Sequence, residues 1–268
     1  MVRAVLRPGG SRRHRLSIVL MERSLVYFVS DVHLGLEVGD PKERERRFVG
    51  FLKGIDAERT EALYLLGDIW DFWYEYHDVV PKEGARVMAQ LFNLQDAGVK
   101  IYFMSGNHDI WFYNWFEEQG FIKLRQPYRF RLGPYNACIG HGDGLGGSSF
   151  GYGLMLSVFR NRVCQALFSA LHPRLAFAFA KKTSLNGRGK HSSYEWKGSE
   201  EALFRYADAQ KADVCIFGHY HTAVDCALPS GGRLIVLDDW IDGGTPYLEF
   251  NLVAGSFTFG GSLPKMEK

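Results

Sequence analysis

Tyr102-Phe-Met-Ser-Gly-Asn-His-Asp109 carries an apolar run to Gly106, then sets an amide, an imidazole and a carboxylate side by side. It reads as a buried strand whose end is loaded with chemistry. Three other stretches have the same form. Ser30-Asp-Val-His33 follows the apolar run Leu25 to Val29, Gly67-Asp-Ile-Trp-Asp71 follows Ala62 to Leu66, and Gly218-His-Tyr-His221 follows Val214 to Phe217. Two amphipathic segments separate the first three runs: Pro41 to Ile55, with Pro at its start, and Pro81 to Ala97, closed by Gly98. Strand, helix, strand, helix, strand predicts a parallel sheet with covering helices. In such sheets ligands gather at the carboxyl ends of the strands, where these clusters fall.

The second half reads differently. Tyr128 to Leu132 and Asn136 to Ile139 look like strands joined at Gly133-Pro134, and they lead into Gly140-His141-Gly-Asp143. Residues 150 to 182 read as two helices broken near His172-Pro173, and 183 to 197 as a polar loop. Ser199 to Ala209 reads as a short helix capped by Ser199, and 222 to 259 as short strands with Gly turns. Two halves of this kind suggest two sheets packed face to face, each delivering residues to a shared edge. No repeat of fixed period is present.

With 268 residues, 46% of them hydrophobic, the chain can bury one large core and a small appended module. Its net charge of +2 is unevenly spread. The first twenty residues hold five Arg and no acid, and residues 150 to 197 hold eight cations against Glu195 alone. The remaining body is therefore acidic, which suggests a metal centre beside an anion-facing surface. Cys138, Cys164, Cys215 and Cys226 are scattered without metal-type pairing and read as buried free thiols of a reducing cytoplasm. No apolar stretch approaches the roughly 20 residues that span a bilayer. The basic start is followed only by Leu16 to Leu20, short of a signal-peptide core of roughly 7–15 residues. Residues 1 to 20 are expected to be a disordered tail or an over-extended start. No nucleic-acid motif is found, since the cations sit among Leu and Phe and not along an aromatic-studded groove.

Taken together, the strand ends offer Asp31, His33, Asp68, Asn107, His108, His141, His219 and His221. Carboxylates, imidazoles and a neutral amide, without thiolates, suit Mn, Fe or Zn. Alternate residues in extended backbone point the same way, so Asp31/His33 and His219/His221 are each expected to reach one site. So many ligands exceed one transition metal but suffice for two if a carboxylate bridges. Two such ions serve in-line phosphoryl displacement.

The order Asp-x-His, Gly-Asp-x-x-Asp, Gly-Asn-His-Asp, His-Gly-Asp, Gly-His-x-His resembles the calcineurin-like metallophosphoesterases from about residue 25 to 240. That resemblance implies a four-layer α/β/β/α sandwich with a helical insertion, formed here by residues 21–149 and 198–268 around an insertion at 150–197. It implies one metal held by Asp31, His33, Asp68 and His221, and another by Asp68, Asn107, His141 and His219, with Asp68 bridging. His108 would face the leaving group as general acid or stabilise the phosphate, and Asp109 would orient His108.

The insertion is basic and apolar, with Leu154, Leu156, Val158, Phe159, Val163, Leu167, Phe168, Leu171, Leu175, Phe177 and Phe179. Such helices rimmed by cations suit a ligand with acyl chains and phosphates, or an anionic membrane surface. With Leu66 to Trp73, Gly151-Tyr152 and the 167–171 run, the layout is similar to the UDP-2,3-diacylglucosamine hydrolases of lipid A biosynthesis. This implies cleavage of the substrate pyrophosphate to UMP and 2,3-diacylglucosamine 1-phosphate (lipid X), usually with manganese, by a cytoplasmic enzyme peripheral to the inner membrane. The implied substrate contacts are Asn107, His108, Tyr152, Ser184, Arg188, Lys190 and His219. Well-known members of that subgroup carry Arg where this chain has His108. Trp70, Phe72, Trp73, Tyr74 and Tyr76 read first as filled core. The alternatives are a metallophosphoesterase for phosphoproteins, cyclic nucleotides or other nucleotide diphosphates, and a non-catalytic scaffold of the same fold. A scaffold is expected to lose metal ligands, and all seven are present.

Overall fold

The computed structural model describes residues 23–76, 78–147, 150–178, 195–261 and 265–266. The expected tail over residues 1 to 20 and the substrate contacts Ser184, Arg188 and Lys190 lie outside these residues.

Alternation within the strands builds the layers. In β1 (Leu25–Val29), Leu25, Tyr27 and Val29 face one core while Val26 and Phe28 face another. Strand β2 (Thr60–Leu66) divides in the same way, with Leu63 and Leu65 opposite Tyr64 and Leu66. A strand buried on both faces must lie between two layers. The outer layer on one side is α1 (Pro41–Gly54) and α2 (Ala85–Asp96), which contribute Phe48, Leu52, Val87 and Leu91.

Strands β1, β2, β3 (Lys100–Met104) and β4 (Ile122–Lys123) pair in parallel, and the short α3 (Trp115–Glu118) lies between the last two in the chain. The second sheet begins with the hairpin β5 (Tyr128–Leu132) and β6 (Tyr135–Ile139). The insertion helices α4 (Phe150–Arg160) and α5 (Arg162–Ser169) follow, then a helical stretch at 173–178, and later α6 (Ala202–Gln210). Strands β7 (Val214–Phe217), β8 (Val224–Ala227) and β9 (Arg233–Val236) continue this sheet, with β6, β7 and β9 parallel. Strands β10 (Tyr247–Asn251) and β11 (Ser256–Gly260) return to the first sheet, and β12 (Lys265–Met266) joins the second. The orders are β11-β10-β1-β2-β3-β4 and β12-β8-β9-β7-β6-β5.

Phe28, Tyr64, Ile139, Ile216, Ile235 and Phe250 meet between the sheets, and Leu203, Phe204 and Ala207 of α6 cover Cys215, Phe217 and Leu234 outside the second. The result is a four-layer α/β/β/α sandwich.

Several boundaries differ from the sequence reading. α2 starts at Ala85 and not near Pro81, because Gly84 takes a left-handed φ of 76° that a helix cannot continue. Gly198–Glu200 forms a single 3₁₀ turn, so α6 begins at Ala202 with no side-chain cap from Ser199. The insertion breaks first at Asn161, whose side chain accepts the N–H groups of Val163 and Cys164 as the cap of α5. Cys164 is exposed, whereas Cys138, Cys215 and Cys226 are buried as expected.

Candidate metal centre

The carboxyl ends of β1, β2, β3, β6 and β7 converge where the two sheets meet. Asp31, His33, Asp68 and His141 are all essentially shut off from solvent. Three donor groups form there, each with its ligand atoms within 4.8 Å of one another: Asp31/His33/His221, His33/Asp68/His108 and Asp31/Asp68/His141. Asp68 Oδ2 lies 3.3 Å from His141 Nε2 and 3.9 Å from His33 Nε2, and Asp31 Oδ1 lies 3.7 Å from Nε2 of both His33 and His221. Asn107 Oδ1 is 3.2 Å from His141 Nε2, and the His219 ring stands edge-on to that of His141 with centroids 5.1 Å apart. The structure thus brings all eight strand-end residues together.

The route by which they meet is not strand alternation. Asp31, His33, Asp68, His219 and His221 all lie in the left-handed backbone region, with φ from 50° to 74°. Among the described residues only one other non-glycine, Lys211, does so. Each such residue costs about 1 kcal/mol or more, and persists only where its surroundings over-determine it. The glycines of the motifs supply part of that constraint by close approach. A Cβ at Gly106 would collide with the Asp68 carboxylate, one at Gly218 with the Asp31 carboxylate and Ser30 Oγ, and one at Gly67 would stand 2.8 Å from His141 Nδ1. Backbone amides finish the positioning: His108 N–H donates to Asp68 Oδ1 and His219 N–H to Asp31 Oδ2, each at 2.9 Å.

The donor set fits divalent ions. Asp31 Oδ1 is fully buried with no hydrogen-bond donor among the described residues, while two imidazole nitrogens stand 3.7 Å away. A buried anionic oxygen with that surrounding suits a cation. Burial alone would raise the Asp31 pKa; the nearby His33 imidazole and the charges of His141 and His221 outweigh it and hold the carboxyl ionised. Asp68 is held ionised in the same way, with His141 the main opposing charge. His219 is pushed down to about 4, by burial first and then by His141, so it is neutral, whereas the Asp68 charge overrides burial and holds His141 protonated in the absence of a metal cation.

One expectation needs correction. Asp109 does not orient His108. Its two oxygens accept the N–H groups of Gly106, Asp68, Ile69 and Trp70, so it fastens the loop after β2 to the loop after β3. Burial and the nearby Asp68 charge raise its pKa to about 7, against the pull of those amides. The group at His108 is Asp71, with its Oδ1 3.4 Å and its carbonyl oxygen 3.2 Å from His108 Nδ1. Tyr152 donates to Asp143 Oδ2 at 3.0 Å, which ties α4 to the loop after β6.

Three residues that the sequence reading passed over also matter. Asp239, just beyond β9, sits 2.7 Å from His221 Nδ1. Arg44 looks like a surface residue of a charged helix but is 1% exposed, and its guanidinium donates to the carbonyls of His33, Leu36 and Val38. Gln126 donates to the carboxylate and carbonyl of Asp143 and accepts the Gly142 N–H. Asp238-Asp239 does end an apolar run, Leu234 to Leu237, and that was the signal available.

The aromatic stretch after Asp68 divides. Trp70, Trp73 and Tyr74 are buried, in line with a core role. Phe72 is partly exposed and meets Phe168 and Phe177, while Trp111 stacks on Phe168. The insertion helices are thereby seated beside the metal-donor cluster.

Residues 24–223 match the calcineurin-like phosphoesterase family. The chain is 34% identical over 240 residues to the UDP-2,3-diacylglucosamine hydrolase of Porphyromonas gingivalis, covering 82% of this chain and 91% of that protein. The protein of the same name from Hamiltonella defensa is 32% identical, with 72% and 76% covered, and that of Xanthomonas oryzae 29%, with 81% and 92% covered. With the donor cluster seated on the strand ends that carry the family motifs, the chain belongs to the calcineurin-like phosphoesterase family.

Proposed function

We propose that this chain hydrolyses the pyrophosphate of UDP-2,3-diacylglucosamine, giving UMP and 2,3-diacylglucosamine 1-phosphate. The observation that carries the reading is a buried cluster of carboxylate and imidazole donors beside the insertion helices, in a chain that spans 91% of the P. gingivalis hydrolase. Asp31, His33, Asp68 and His221 would hold one divalent ion and Asp68, Asn107, His141 and His219 the other. Manganese is the proposed ion, and the same donors accept iron or zinc. Two such ions clamp the attacking and leaving oxygens of a phosphoryl displacement and lower the pKa of the attacking water. The protein supplies the remaining parts. Asp71 holds His108 through Nδ1, so that Nε2 would meet the phosphate or the leaving oxygen. A cleft of about 580 Å³ opens between α4 and the loop after β6, lined by Gln126, Asp143, Leu156, Ser157 and Arg160, and its size suits part of a sugar nucleotide.

Release of UMP from the diacylated sugar nucleotide, compared with its deacylated form, tests the assignment. The diacylated substrate is expected to have at least a tenfold higher kcat/KM, since burying even two methylenes contributes about 1.6 kcal/mol. Equal values for the two substrates would sink the acyl-binding role of the cap.

The cap also offers a second apolar face. Leu154, Val158, Val163, Leu167, Leu171 and Leu175 are exposed, with Arg160, Arg162 and Arg174 among them. Such a face suits peripheral contact with the anionic cytoplasmic side of the inner membrane, where the acylated substrate would reside. No helix among the described residues is long and apolar enough to cross a membrane. Sedimentation with phosphatidylglycerol vesicles is expected to be lowered about tenfold or more by Leu167→Glu with Leu175→Glu, each removing a leucine's transfer energy. Unchanged vesicle binding would refute the contact.

A further inference from the structure

Asp31 and His221, which would share one ion, come from different sheets. Asp31 closes β1 in the first sheet and His221 follows β7 in the second. Something must fix their relative position, and the segment after β9 touches both. Asp239 Oδ2 lies 2.7 Å from His221 Nδ1, and its Oδ1 accepts the Ile241 N–H, also at 2.7 Å. The next residue, Trp240, donates its backbone N–H to the carbonyl of Asp31 at 3.1 Å. Trp240 is fully buried against Phe48 and Phe51 of α1, and its carbonyl accepts from Arg47 at 2.8 Å. The carboxylate of Asp239 is thus anchored on a rigid segment, and its partner ring is set with Nε2 3.7 Å from Asp31 Oδ1.

We infer that Asp239 is a positioning residue of the metal centre: by accepting the Nδ1 proton of His221, it presents Nε2 as the ligand atom. A carboxylate behind a ligand imidazole fixes its tautomer and raises its basicity. Asp71 stands in the corresponding place behind His33, with its Oδ1 3.5 Å from Nδ1, but it also faces His108. Among the described residues the Asp239 carboxylate is paired with His221 and not with His108, so it can be tested without disturbing the group proposed to act on the leaving oxygen.

The inference rests on the two-ion reading above, and titration of the metal-free protein with Mn²⁺ alone separates the two. Wild-type protein is expected to take up two equivalents. Asp239→Asn is expected to weaken one equivalent by about 10–100-fold, the loss typical of such outer carboxylates, and to leave the other unchanged. Asp239→Glu is expected to restore most of that affinity. The ¹⁵N shifts of His221 should show Nδ1 protonated in the wild type and a mixed tautomer in Asp239→Asn. An Asp239→Asn protein that binds both equivalents like the wild type overturns the inference. Equal weakening of both equivalents together with a lowered Tm overturns it as well, since that is general structural damage. Uptake of a single equivalent by the wild type contradicts the two-ion reading instead, and the same comparison on that equivalent then decides the role of Asp239.

Discussion

Asp68→Ala is expected to abolish turnover, by at least about 10³-fold even in metal-replete buffer. Asp68 belongs to two of the three donor groups, and its carboxylate faces His141 on one side and His33 on the other. Removing it separates the two halves of the centre, which is a different injury from losing a terminal ligand. An ion at a developing phosphoryl charge contributes several kcal/mol, and each 1.36 kcal/mol is tenfold in rate. Bound metal should fall from about two equivalents to at most one. The charge of Asp68 also holds His141 protonated against burial in the metal-free protein, so the substitution should let the His141 pKa fall. Asp68→Asn keeps the volume and an oxygen for the His108 N–H, and is expected to fail nearly as badly because a neutral amide bridges poorly. Metal analysis beside UMP release checks both variants. Turnover above about a tenth of wild type with two equivalents bound would contradict the bridging role.

What could be read in advance followed from what each residue type can do alone. An apolar run ending in Gly or Ser and then Asp, Asn or His has few readings besides a strand that delivers ligands, so β1, β2, β3, β6 and β7 and their donors were all legible. The way the donors converge was not. Asp31/His33 and His219/His221 suggested alternation along extended chain, yet all four sit in left-handed backbone. Spacing of two residues is compatible with either geometry, and the tertiary contacts, among them the crowding at Gly67, Gly106 and Gly218 and the amides on Asp31 and Asp68, hold the strained one. Arg44 and Asp239 were hidden for a related reason. A charged residue in a charged helix, or an acidic pair in a loop, reads as solvated surface until the tertiary structure buries it. The role given to Asp109 went to Asp71 because nearness in sequence is a poor guide to where a side chain points. Asp109 turns back toward the β2 loop, while Asp71, 37 residues earlier than His108, comes from the end of the neighbouring parallel strand β2.

His108→Ala is expected to lower kcat by about 10²–10⁴-fold, the range for loss of a positioned acid or base, while two equivalents of metal remain bound. The geometry admits a competing role. His108 falls in one donor group with His33 and Asp68, so a ligand nitrogen at that position is sterically possible. Two features favour the proton-donor role. Its Nδ1 is turned to the carboxylate and carbonyl of Asp71, which fixes the ring through the nitrogen nearest the protein. It is also a quarter exposed, whereas His33 and His141 are sealed from solvent. A residue meant for substrate must keep such an opening, and one meant only for a buried ion need not. His108→Arg places the side chain of the lipid A subgroup in the same position. A guanidinium cannot give up a proton but can stabilise phosphate charge. If stabilising the phosphate is the main contribution, Arg should recover most of the activity lost in His108→Ala. If proton donation is, Arg should stay near the Ala level and lose the limb of the pH–rate profile that reports the acid. Loss of one metal equivalent in His108→Ala, with kcat restored by excess Mn²⁺, would reassign His108 to the ligand set and remove the case for it as the acid.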